Sequence, residues 1–277
     1  MEKTLYLECY SGISGDMTVA ALLDLGADQA VLQAALDGLF VQGFETKITR
    51  VKKSGIDACD FDVILDSEIN GHDHDMEYLH GHEAEAHIHS HDHEYVGAAA
   101  HAHDHVHGEG THAHSHHQHR GMKEIREIIN KAAMTEGARK IALDIFEILA
   151  RAEAKAHNVP VEEVHFHEVG AVDSIVDILS VAVCVDNLGI TDVIVPVLYE
   201  GTGTIRCQHG ILPVPVPAVS NIVQQCGLKL HLTQVRGELV TPTGAAIVAA
   251  LKTSEKLPKS FQVEKIGIGA GKRNYEC

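Results

Sequence analysis

Along the first 66 residues the apolar positions follow two spacings in turn. "TLYLECY", residues 4–10, is a β-rich run; it meets the glycine loop "SGISGD", residues 11–16, and then "MTVAALLDLG", residues 17–26, whose apolar positions recur at the helical period. The unit predicted is strand, glycine loop, helix. A second helix is predicted over "DQAVLQAALDGL", residues 28–39, while "FETKITRVKKSGIDACDFDVILD", residues 44–66, alternates on either side of Ser54-Gly55 and predicts two strands. The pattern then stops. Residues 67–119 are largely His, Asp, Glu, Ala and Gly, with hardly a β-branched or aromatic side chain, too little apolar surface to offset the entropy of ordering the backbone. A disordered insertion is predicted there.

Helical periodicity resumes at Met122 with a short helix and continues through "ARKIALDIFEILARAEAKAH", residues 138–157, where Ile141, Ile145, Ile148 and Ala152 make an inward stripe that ends before Pro160. "SIVDILSVAVCVDNLG", residues 174–189, predicts a further helix stopped by Gly189. "DVIVPVLY", residues 192–199, predicts a strand. In "HGILPVPVPAV", residues 209–219, Pro213, Pro215 and Pro217 at alternate positions force a stiff, extended path before Pro217 opens another helix. "TPTGAAIVAALK", residues 241–252, predicts a helix with Pro242 or Thr243 near its start, and "FQVEKIGIGAGK", residues 261–272, a terminal strand entering glycines. Strands alternate with helices, so the fold class predicted is α/β, a mixed or parallel sheet flanked by helices. Residues 1–66 and 120–271 make a single domain interrupted by the 67–119 insertion.

At 277 residues and 45% hydrophobic composition the chain can bury a real core. The formal charge of −17 is uneven: residues 66–119 hold eleven acidic and no basic residues, leaving 28 acids against 22 bases elsewhere. That remainder resembles an ordinary cytosolic surface, and nucleic acid is not an expected partner. Cys9, Cys59, Cys184, Cys207, Cys226 and Cys277 are scattered without a C-x-x-C pair, which argues against a zinc ribbon or dithiol motif and for small buried hydrophobes. The start "MEKTLYLECY" lacks a signal-peptide core and no apolar run is long enough to span a bilayer, so a cytoplasmic protein without membrane contact is expected.

Seventeen histidines fall within residues 72–119, mostly as H-x-H with interspersed carboxylates, a donor mixture suited to nickel, zinc or copper. A solvated spacer or an expression tag are the bland alternatives. A disordered tract offers many equivalent sites, whereas catalysis needs one fixed geometry, so the tract is expected to collect metal and the chemistry to lie elsewhere. The densest ordered polar cluster is "HFHEVGAVDSIVD", residues 165–177. If residues 165–167 are extended, His165 and His167 project to one side, and Asp173 and Asp177 lie one turn apart on the following helix. Like charges at that spacing repel unless a cation or a cationic substrate sits between them. Asp173 as a helix-start residue and one buried histidine are the plain alternatives.

Three loops add candidates. Ser11, Gly12, Ser14 and Gly15 stand where free amides and a helix dipole can hold a phosphate, and Asp16 either caps the helix or ligates a metal. "GIGAGKR", residues 267–273, imitates a nucleotide loop, but Ile266 replaces the first glycine and Arg273 the hydroxyl residue. Lys272 and Arg273 remain phosphate candidates as point charge and fork. "EGTGTIRCQHGILPVP", residues 200–215, combines a glycine loop with Arg206 and His209, the latter a candidate base, or is a surface loop with an incidental histidine.

In order, "YSGISGDM", "HFHEVGAVDSIVDI", "HGILPVPVPA", "ELVTPTGAAI" and "GIGAGKR" resemble the LarC family of nickel-insertion proteins in nickel-pincer cofactor biosynthesis, whose members often carry a His-rich insertion at the same place. The resemblance covers the N-terminal portion of the family, so residues 272–277 are expected to begin a linker to a C-terminal CTP-binding region. It implies a lyase-class cyclometallase that uses CTP, with Mg or Mn, to insert Ni(II) into pyridinium-3,5-bisthiocarboxylic acid mononucleotide with loss of the C4 proton. Implied roles are nickel ligation by His165 and His167, proton removal by Glu168 or His209, and a phosphate anchor at the "SGISGD" backbone or Arg206. Asp173 and Asp177 would hold a divalent ion or face the pyridinium charge. Implied partners are that nucleotide and lactate racemase or other nickel-pincer apoenzymes; homo-oligomer formation stays open. The alternative is a nickel metallochaperone or store acting through the histidine tract. A GTPase-like phosphotransfer enzyme is disfavoured because no P-loop lysine precedes a Ser or Thr.

Overall fold

The computed structural model describes residues 3–66, 120–166, 172–207 and 210–275. The described residues belong to one compact unit, and the insertion predicted at 67–119 lies outside the described residues.

Strand β1 (Lys3–Tyr6) leads through the glycine loop to helix α1 (Gly15–Leu25), which ends at Gly26 with φ 111°. Helix α2 (Gln29–Asp37) starts where the Asp28 carboxylate accepts the Ala30 amide at 2.8 Å. Strands β2 (Phe44–Lys53) and β3 (Ile56–Leu65) pair antiparallel along their whole length. Ser54 and Gly55, at φ 49° and 81°, form a two-residue turn whose twist matches that of the hairpin. After β4 (Arg120–Gly121) come helices α3 (Met122–Lys131) and α4 (Glu136–His157), then β5 (His165–Phe166) and helix α5 (Val172–Leu188). Strands β6 (Ile190–Ile194), β7 (Leu198–Thr202), β8 (Thr204–Cys207) and β9 (Gly210–Pro213) precede helix α6 (Pro217–Cys226), which opens on Pro217 as expected. Strand β10 (Leu230–Arg236) and helix α7 (Pro242–Leu251), capped by Thr241 through the Gly244 amide at 3.1 Å, complete the elements.

The fold is mixed α/β, but among the described residues the strands pair two by two instead of joining one sheet. β1 with β6 and β7 with β10 are parallel; β2 with β3, β4 with β5 and β8 with β9 are antiparallel. Two expectations fail for identifiable reasons. The single strand expected over residues 192–199 divides at Pro196, which has no N–H to donate to a ladder, and its halves take different partners. The terminal strand expected over residues 261–272 is a strap touching β3 through one bridge, Gly269 to Cys59, where the Cys59 amide donates to Ile268 O at 2.9 Å and the Ala270 amide to Cys59 O at 2.8 Å.

That strap explains the glycines of "GIGAGKR" without a nucleotide. A Cβ on Gly267 would stand 2.2 Å from Ala21 O, and one on Gly269 2.0 Å from Met17 O, so the backbone lies directly on α1. Gly269→Ala is therefore expected to cost about 1–3 kcal/mol in urea unfolding, as an overpacked contact does. Gly189→Asn, at φ 65° with nothing within 4 Å of its Cβ, should cost clearly less, since asparagine is among the few side chains that adopt this conformation. Equal midpoints for the two variants would contradict this account of the strap.

The core is mainly helical. α5 packs against α1, α2, α4 and α7. Ile145, Phe146 and Leu149 of α4, Ile175, Ile178 and Leu179 of α5 and Ile247 of α7 are fully enclosed. On α4 the expected stripe holds at Ile145, Ile148 and Ala152, while Ile141 is only partly buried because Phe146 and Leu149 carry the buried face around the helix. Cys9, Cys59 and Cys184 are buried, and burial pushes the Cys9 and Cys184 thiols up to about 12. Cys277 lies outside the described residues. Among the described residues no helix is long and apolar enough to cross a membrane.

Candidate functional site

β1 and β6 run parallel, and the chain leaving the carboxyl end of β1 forms the loop that opens α1, the position where parallel strands usually present ligand-binding loops. Backbone contacts hold this loop. The Gly12 amide donates to Cys9 O at 3.1 Å, the Ile13 amide to Leu239 O at 2.9 Å, and the Thr241 amide to Ile13 O at 3.1 Å. Gly12, at φ 85°, must be glycine, since a Cβ there would lie 2.0 Å from Leu239 O.

Carboxylates occupy the start of α1. The Asp16 amide donates to the Asp177 carboxylate, and the Met17 amide and the Ser14 hydroxyl both donate to Asp16. Gly15 makes room: a Cβ there would sit 2.5 Å from Asp177 Oδ2. Burial raises the Asp16 carboxyl above its usual range despite those two hydrogen bonds. Burial, then the charges of Asp16 and Asp173, push Asp177 well above it, and Lys272 and the Asp16 amide pull back only in part. The residue is partly exposed, yet its Oδ1 is sealed from solvent and has no hydrogen-bond partner among the described residues. A group of like charges in low dielectric favours a shared proton or a cation. Among the described residues no three His, Cys, Asp or Glu side chains are arranged to hold a metal ion.

The predicted residues divide clearly. Ser14, Gly15, Asp16, Asp173 and Asp177 come together at this helix start, with Lys272 in electrostatic reach. The ammonium of Lys272 also meets Asp60 at 2.8 and 3.0 Å and Asp62 at 3.4 Å; burial pulls its pKa down, but these carboxylates hold it above the ordinary value. Arg273 is taken up elsewhere, donating to Glu238 O at 3.2 Å and Glu238 Oε2 at 3.4 Å, beside the Tyr275 hydroxyl. Ser11 is exposed in the loop, and Arg206 lies on β8 opposite Ile211. His165 pairs through its backbone with Gly121. His167, Glu168 and His209 lie outside the described residues, as does the side chain of His165.

Glu200 was not among the candidates. It is fully enclosed on β7, and its Oε1 accepts the amides of Gly201 at 2.7 Å, Leu239 at 2.7 Å and Val240 at 3.2 Å. It thereby fastens the segment that Ile13 pairs with. Burial raises its carboxyl above the usual range against those three bonds. The only signal in the sequence is a glutamate followed directly by a glycine; Gly201 is required because a Cβ there would lie 1.9 Å from Gly237 O.

The sequence profile of the nickel insertion protein family matches residues 5–277. The chain is 52% identical over 274 residues to the pyridinium-3,5-bisthiocarboxylic acid mononucleotide nickel insertion protein of Alkaliphilus metalliredigens, covering 99% of this chain and 58% of that protein. Proteins of the same name from Clostridium acetobutylicum and Acetivibrio thermocellus are 42% and 35% identical, over 99% and 98% of this chain and 61% and 57% of their own lengths. The chain thus spans less than two thirds of these relatives. No solved structure matches it. With the profile match running over nearly the whole chain and the carboxylates of its "SGISGD" and "HFHEVGAVDSIVD" segments meeting at one helix start, the chain belongs to the nickel insertion protein family.

Proposed function

We propose that this chain handles nickel and substrate in the insertion of Ni(II) into pyridinium-3,5-bisthiocarboxylic acid mononucleotide, the compound for which its relatives are named. The C4–H electron pair of the pyridinium passes to nickel and the proton to a base, so the step involves no oxidation or reduction. Nickel is the cargo. CTP, with Mg or Mn, is the proposed co-substrate, bound mainly by a region outside this chain, and lactate racemase or another nickel-pincer apoenzyme is the proposed recipient; both rest on the family resemblance.

One observation carries the proposal: Asp16 and Asp177 meet at the start of α1 within reach of the Asp173 charge, and the sequence sets His165, His167 and Glu168 just before Asp173. Carboxylates and neutral imidazoles suit a borderline divalent ion that must also leave. His165 and His167 are the proposed labile nickel ligands, Asp16, Asp173 and Asp177 the charge that draws the cation in, and Glu168 or His209 the base. Ser11, Ser14 and Gly15, or Arg206, are the proposed phosphate anchors; the Gly12 amide is already used within the loop. Lys272 would give up Asp16 and Asp177 to an arriving cation while keeping Asp60.

His167→Ala or Asp173→Asn is expected to abolish nickel insertion while leaving the fold and bulk nickel binding intact, as read by circular dichroism and equilibrium dialysis. Normal insertion by both variants would rule the cluster out. The seventeen histidines of residues 72–119 favour a second reading, a nickel store or metallochaperone. Deleting that stretch should leave insertion intact in excess nickel; loss of insertion under that condition would favour the storage role.

A further inference from the structure

Next in the chain to the glycine loop and to Glu200 stand aromatic rings that no role above uses. Tyr10, 56% exposed, directly precedes Ser11; Tyr199, half-buried, directly precedes Glu200 on β7; His231 is exposed on β10, opposite Tyr199 in the parallel pair. Tyr10 meets Tyr199 edge to face with centroids 4.8 Å apart and planes at 66°, and Tyr199 meets His231 at 4.8 Å and 49°. Tyr6, at the end of β1, is tied to Tyr10 by a hydrogen bond; burial and that bond push its phenol up to about 12, so it stays a donor.

The row is fixed in place. β7 and β10 hold Tyr199 and His231 by backbone pairing, Glu200 ties β7 to Leu239 and Val240, and those residues pair with Ile13 in the loop that carries Tyr10. The chain has no Trp and only six Tyr, yet two of these and a histidine are in ring contact, with Tyr10 more than half exposed, next to the candidate phosphate loop. Tyrosine rings present a negative face, which attracts flat cations, and arrays of exposed rings stack planar heterocycles. A pyridinium is both flat and cationic.

We infer that Tyr10, Tyr199 and His231 form the stacking platform for the pyridinium ring of a mononucleotide, with its phosphate end directed to the loop that begins at Ser11. This deepens the proposed function and rests on it. The platform sets which ring is accepted: a planar cation in preference to a neutral base.

Titration calorimetry of the chain with nicotinamide mononucleotide, an available pyridinium mononucleotide, tests it without nickel. Saturable binding is expected, weakened about fivefold or more by Tyr10→Leu and by Tyr199→Leu and kept within about twofold by Tyr10→Phe. The reduced mononucleotide, whose ring is neutral, and cytidine monophosphate should each bind about fivefold more weakly. No binding to the wild-type chain, unchanged binding by the Tyr10→Leu/Tyr199→Leu variant with native circular dichroism, or equal affinity for the neutral rings would each overturn the platform. Because nickel is absent, this result and the nickel-insertion result can fail independently. Insertion by the wild type that persists unchanged in the double variant would remove the platform and leave the proposed function standing.

Discussion

Asp177→Asn is expected to raise the melting temperature of the chain at neutral pH while abolishing nickel insertion. Burial, with Asp16 and Asp173 adding to it, lifts the Asp177 carboxyl well above its usual range, so the folded chain holds that proton more tightly than the unfolded one. A raised acid of this kind contributes stability fully below the unfolded carboxyl value, near pH 4, and loses it as pH rises through the folded value. Above that window the chain carries a desolvated charge that asparagine, of the same shape, does not. The gain is on the order of 1 kcal/mol, or about 2–4 °C for a domain of this size, and it should shrink toward zero near pH 4. Thermal unfolding across pH 4–8, beside a nickel-insertion assay, measures both sides. Lower stability at pH 8, or a gain that does not change with pH, would mean that the carboxylate is not held as a strained charge. Stability gained at the expense of activity is what a site built to receive a cation should show.

The second large effect concerns folding. Glu200→Ala leaves the amides of Gly201, Leu239 and Val240 without their acceptor in a fully enclosed position, at a cost of about 3 kcal/mol or more. Glu200→Gln keeps an oxygen at Oε1 for all three and should lose clearly less than Glu200→Ala. Denaturant unfolding of the pair decides it: equal losses would show that the acceptor role of Oε1 is not what holds the segment. Because Leu239 and Val240 pair with Ile13, Glu200→Ala should also loosen the loop that carries Tyr10, Gly15 and Asp16, seen as faster amide exchange at Ile13 and Thr241.

Much of the local structure was legible because it depends on neighbours in the chain. The hairpin around Ser54-Gly55 and Pro217 opening α6 both follow from side chains acting within four residues of themselves. The division of the strands into separate pairs was not legible, since Pro196 interrupts a run that reads as one apolar strand and pairing partners lie far away in sequence. "GIGAGKR" misleads for a related reason. A glycine needed for contact with a helix and a glycine needed for contact with a phosphate look the same in sequence, and only the 2.0 Å that would separate a Cβ on Gly269 from Met17 O tells them apart.

The sequence by itself determined the family, through five ordered motifs, and the residue types able to handle nickel: imidazoles and carboxylates concentrated at residues 165–177 and in the tract before them. It also determined that Asp173 and Asp177 share a helix face, because a 3.6-residue period is a local property. Only the tertiary structure decided that Asp16, more than 150 residues away, donates its amide to Asp177 and that Glu200 braces the loop beside it. It alone brought Tyr10 against Tyr199 and Tyr199 against His231. The physical reason is the same in each case: burial and charge coupling act through space over a few ångströms, and no spacing along the chain records which distant residues packing will bring that close.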